Sequence, residues 1–132
     1  MKNSKFEMVV RYLLALILGV FGVDKFLHFM PKPEADSLSA EAGAYLGALN
    51  ESGFIFPFIG VVFVVSAVLL AANRAVGFAL VIVAPIVVNI LVYHVMLDPA
   101  GVGPGALVSV LVAVLAWMRM NTFRPLFETA GG

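Results

Sequence analysis

The chain has 132 residues, of which 62% are hydrophobic and 12% charged, with 8 basic side chains balancing 8 acidic ones and no cysteine. A water-soluble domain is about half apolar and about a quarter charged, and one this short buries only about two-thirds of its surface, so a soluble monomer, a disordered chain and a polycationic nucleic-acid binder are all poor fits. Disulfides, thiolate metal sites and a CxxC redox centre are excluded outright.

A bilayer core about 30 Å thick asks for about 20 mostly apolar residues in helical form. Four stretches meet that length, at about residues 9–30, 54–72, 75–97 and 103–120. They are apolar all round rather than alternating, so helices fit and lipid-facing strands do not. The expected architecture is an all-α integral membrane four-helix bundle forming a single domain. The first stretch starts on Lys2 and Lys5 but is interrupted by Arg11 and lacks an A-x-A site after Val23, so it reads as a retained span. Pro31 and Pro33 are expected to stop it. The connection from Pro31 to Gly53 contains Ala42, Tyr45, Leu46 and Leu49 at helical spacing, which predicts a short interfacial helix over Ser39 to Leu49, folded back over the bundle. Asn73-Arg74 is too brief to be anything but a tight turn, so the second and third spans are antiparallel neighbours. Asp98 to Gly105 is a Pro/Gly turn cluster.

Orientation follows from the basic residues. With the N-terminus in the cytoplasm, Lys2, Lys5, Arg11, Arg74, Arg119 and Arg124 lie inside, and only Lys25 and Lys32 lie outside. The positive-inside rule then puts both termini in the cytoplasm, which four spans require.

Ionisable and amide groups at membrane depth are expensive unless partnered, so they are the first candidates for a site. At about 1.5 Å per residue, Asp24 and His28 stand about 22 and 28 Å up the first span, and Asn89 and His94 about 21 and 28 Å up the third. Two levels match, forming a polar layer in the outer third of the bilayer. Ala15, Gly19 and Gly22 share the face on which the first helix would pack closely, and Lys25 projects nearer that face than Asp24. Pro85, one turn below Asn89, predicts a kink and a cavity wall. His94 is about 140° from Asn89, so the two need not face the same way. Each candidate has a plainer role: Lys25 and Asp24 as boundary charges, Asn89 as interhelical glue, the histidines as interfacial residues. Tyr12, Tyr93 and Trp117 suit interfacial belts, and Arg11, Arg74, Arg119 and Arg124 the inner boundary, in contact with membrane lipids. The histidines and Asp24 or Asp98 lack the fixed spacing of a zinc site. There is no Walker A, G-x-G-x-x-G or H-E-x-x-H pattern, and Gly43-x-x-x-Gly47 falls in the connection rather than in a span.

Four elements in order resemble the DoxX family of small bacterial membrane proteins. They are Arg11 with Phe21-Gly22-Val23-Asp24-Lys25-Phe26; Tyr45-Leu46-Gly47-Ala48-Leu49-Asn50-Glu51-Ser52-Gly53-Phe54 with Pro57 and Gly60; Ala84-Pro85-Ile86-Val87-Val88-Asn89-Ile90 with His94 and Leu97-Asp98-Pro99; and Phe123-Arg124-Pro125-Leu126-Phe127. The resemblance implies a four-span protein of the bacterial inner membrane, with Lys25 and Asn89 as site residues and an association with membrane redox assemblies. One departure is clear. Many members carry a glutamate after the glycine matching Gly60, and here Gly60-Val61-Val62-Phe63 has no acid.

Three functions follow, in order of expectation. The first is a non-catalytic subunit or scaffold of a membrane complex, with a redox protein partner or a second copy of itself and no intrinsic cofactor. The second is a quinone- or lipid-binding oxidoreductase component in which Lys25, Asn89 and His94 hold the ligand. The third is a small transporter, against which stands the lack of an acid in mid-span.

Overall fold

The computed structural model describes residues 4–31 and 37–128; Lys2, Lys32 and Pro33, used above for charge and helix termination, lie outside them. The described residues form helices throughout: α1 Ser4–Leu27, α2 Ala40–Glu51, α3 Ile55–Ala72, α4 Val76–Leu97, α5 Val102–Met118 and a short α6 Met120–Phe123. A 3-10 turn over Pro99–Gly101 precedes α5. Four of these helices are long and apolar enough to cross a membrane. Of these, α3 has 18 residues, or about 27 Å at 1.5 Å each, close to the thickness of the hydrocarbon core, and the 3-10 turn extends the α5 span to 20 residues. The chain is therefore an all-α, multi-pass membrane protein.

The four spans form a ring, α1 on α3, α3 on α4, α4 on α5 and α5 back on α1. Leu14, Leu18, Leu70, Val83 and Leu115 fill its centre, while Leu16, Val68, Phe78, Val88 and Val110 point outward. That inversion is the surface a lipid solvent favours, and it leaves close packing to hold the helices together. The closest approach is between α1 and α3. A Cβ on Gly22 would lie 2.9 Å from Phe63 Cβ and 3.1 Å from the Val64 backbone nitrogen; one on Gly60 would lie 3.1 Å from the Gly22 carbonyl oxygen. The small face of α1 does pack as its sequence suggests.

Helix ends differ from expectation in instructive ways. The first helix stops at Leu27, before either proline. His28 takes a left-handed φ of 54° and its N–H still reaches the Asp24 carbonyl at 2.8 Å. The Asp24 carboxylate accepts the Met30 N–H at 2.7 Å, so the carboxylate terminates the helix. The start lies five residues earlier than 9, at Ser4, because Glu7 and Arg11 are held by the ion network described below. The α3–α4 turn is as tight as predicted, with Asn73 and Ala75 both left-handed at φ 55° and 48°. Pro85 does not interrupt α4, which is continuous through it.

The ring has two distinct ends. At one, the beginning of α1 meets the ends of α3 and α5. Arg11 is 5% exposed and donates to the Leu70 carbonyl at 2.8 Å and to Glu7 at 3.2 Å. Arg119 donates Nε to the other Glu7 oxygen at 2.8 Å and Nη2 to Asn73 Oδ1 at 2.7 Å. Arg11 and Arg119 are thus engaged within the chain. The other end carries α2.

Candidate functional site

The helix between the first two spans is capped by Ser39. Its Oγ accepts the Ala42 N–H at 3.1 Å and donates to the Leu97 carbonyl on α4 at 3.2 Å. Ala42 is fully buried beneath it. So α2 is a short helix folded back over the bundle, as expected. It lies across the ends of α3 and α4 as a cover.

Beneath it is a cavity of about 600 Å³, within the range of small-molecule sites. All four spans contribute to its walls. Leu18, Phe21, Phe63, Val87 and Val108 make the apolar floor, and Tyr45, Leu46 and Leu49 of α2 make the roof. Asp24, Lys25, Asn89, Tyr93, His94 and Asp98 supply the polar groups.

Four of the five predicted site residues therefore line one cavity: Asp24, Lys25, Asn89 and His94. His28 does not. It is exposed at the left-handed end of α1 and stands outside the lining. Its level on the helix suggested a partner for His94, but the helix has already ended there. Lys25 does lie on the close-packing face of α1, as expected, but Asp24 is turned inward as well. Asp24 is the buried one, at 9% exposure, because its carboxylate turns back to cap Met30. Lys25 leaves α1 toward α3, where its Cβ packs at Gly60. Asn89 and His94 both line the cavity despite their angular separation, since the cavity wraps around that end of α4. Pro85 is exposed and takes no part in the wall.

Two polar arrangements were not anticipated. Asn89 Nδ2 donates to the Tyr45 hydroxyl at 2.7 Å, and the Tyr45 ring stacks on Tyr93 with centroids 5.2 Å apart. Tyr93 is not a belt residue. It is 8% exposed, and among the described residues its hydroxyl has no hydrogen-bond partner. Tyr12 and Trp117, by contrast, are exposed as belt residues would be. In the second arrangement, His94 Nδ1 faces Asp98 Oδ2 at 3.5 Å, while Gly101 and Gly105 leave room for the imidazole against the start of α5. A Cβ on Gly101 would lie 3.1 Å from His94 Cε1, and one on Gly105 3.5 Å from Cδ2. The four-residue spacing of His94 and Asp98 was visible in the sequence, as was a Gly101/Gly105 pair at the same interval. The Tyr45–Asn89 contact joins residues 44 apart, and no local pattern announces it.

Among the described residues no group of three histidine or acidic side chains is placed to hold a metal. Chemically, the cavity offers an apolar volume with a polar rim at one end and, among the described residues, one buried hydroxyl lacking a partner and one amide that donates to the α2 cover. Comparison with protein-family models, with characterised proteins and with solved structures returns no match.

Proposed function

We propose that this protein is a DoxX-like subunit of the bacterial inner membrane that binds a membrane-borne amphiphile, such as a quinone, in the cavity beneath α2. The single observation that carries the reading is the lidded cavity of about 600 Å³, apolar in its floor and polar at its rim. A pure scaffold has no need of such a volume, so the binding reading is favoured over the scaffold expected first. The two are compatible when the subunit presents its ligand to a redox partner, from which any electrons come. The cavity opens at the end of the bundle opposite the beginning of α1 and the end of α5. The bias of basic residues toward those two helix ends supports cytoplasmic termini and a cavity near the periplasmic face.

Titration of the purified chain with decyl-ubiquinone tests this reading. Saturable binding is expected, weakened at least tenfold by a Lys25→Ala/Asn89→Ala double substitution. Equal affinity in both proteins would refute the cavity as the site.

A further inference from the structure

The Asn89 amide donates its hydrogen bond to an element that covers the cavity rather than to its own helix or to another span. Donor amides inside a membrane need an acceptor, and the Tyr45 hydroxyl provides one. The same hydroxyl group is the only part of the Tyr45–Asn89 contact that a ligand oxygen could replace. Removing it leaves the Tyr45–Tyr93 stack intact. A second donor, the Tyr93 hydroxyl, is already buried in the lining without an acceptor among the described residues.

The charges on the rim narrow the ligand further. Asp24 and Asp98 contribute two carboxylates, against the amine of Lys25 and the imidazole of His94. Among the described residues the two signs nearly balance on the rim, so a charged head group of either sign would give up its hydration for little net attraction. Both acids also have partners within the chain, Asp24 in the Met30 N–H and Asp98 in His94.

We infer that the cavity selects an uncharged, oxygen-bearing head group, and that this oxygen takes the place of the Tyr45 hydroxyl on Asn89 Nδ2. Tyr45 is then the residue that sets affinity from the lid side, and Asn89 the one that sets head-group choice. The inference rests on the binding reading above and adds the chemistry of the occupant to it.

The test uses the full chain in phosphatidylcholine nanodiscs with a photoactivatable diacylglycerol as probe. Dioctanoylglycerol and dioctanoyl phosphatidic acid, which share tails and differ in head group, compete at equal membrane fractions. Dioctanoylglycerol is expected to compete at least tenfold better. Tyr45→Phe is expected to raise probe affinity about fivefold, the worth of one hydrogen bond no longer to be broken, and Asn89→Leu to lower it by a similar factor. Equal or better competition by phosphatidic acid overturns the inference, as does unchanged affinity in Tyr45→Phe, while leaving amphiphile binding itself standing. Absence of saturable labelling together with absence of decyl-ubiquinone binding removes both.

Discussion

Arg119, at the end of the last span, sets its guanidinium on the Glu7 carboxylate of the first, with Nη2 and Nε at 2.7 and 2.8 Å from the same oxygen. The other oxygen of Glu7 holds Arg11, whose side chain is 6% exposed. One acid thus serves two arginines, one of them buried. Glu7→Ala leaves the Arg11 charge uncompensated and is expected to cost about 3 kcal/mol, whereas Arg119→Ala, which removes the more exposed partner, costs about 1 kcal/mol. Unfolding in mixed micelles measures both. Equal effects would mean that Arg11 is satisfied by the Leu70 carbonyl alone.

The glycines separate into those that packing requires and those it does not. Gly22 meets Phe63 and the backbone of Val64, so Gly22→Val forces α1 off α3 and costs about 2 kcal/mol. Gly43 has open space around it on the exposed side of α2. There Gly43→Ala is expected to stabilise the cover by about 0.5–1 kcal/mol, through helix propensity alone. Opposite signs from the two substitutions, read as shifts in thermal midpoint, are the expected result.

Tyr93 offers a trade of stability for binding. Its buried hydroxyl has no partner among the described residues, so Tyr93→Phe is expected to raise stability by about 1 kcal/mol. If the hydroxyl serves the ligand, the same substitution lowers affinity for the diacylglycerol probe severalfold. A fall in stability would show that the hydroxyl is satisfied within the unliganded protein.

Gly101→Ala tests the His94–Asp98 pair. The new Cβ would lie 2.7 Å from Asp98 Oδ2, and the carboxylate, as the free end of a side chain, is the part that yields. The fold is expected to lose less than about 1 kcal/mol, while the imidazole nitrogen resonances of His94 shift as its partner leaves. Unshifted resonances would place the pair beyond the reach of this turn.

The spans, the α3–α4 turn and the short helix before α3 were legible because each depends on nearby residues: unbroken apolar length, an Asn-Arg pair with no room for a loop, and Ala42, Tyr45 and Leu46 at helical spacing. The cavity was legible in part. Depth along a helix identified Asp24, Asn89 and His94, since rise per residue is fixed. Rotation was less reliable, because side chains bend toward partners that a helical projection omits. Asp24 turned inward to cap Met30, and Tyr93 turned inward to stack on Tyr45. The network around Glu7 was hidden for another reason. Its members are 112 residues apart, and charge counting sorted them by side of the membrane without pairing them.

Because α5 closes the ring against α1, the helix of the ring made earliest receives its final neighbour last. Until α5 arrives with Arg119, Arg11 has Glu7 and the Leu70 carbonyl of α3, whereas one oxygen of Glu7 waits for its partner. Assembly of the bundle is therefore completed after translation of its final span rather than progressively, and a nascent chain halted before α5 has an open seam facing the lipid.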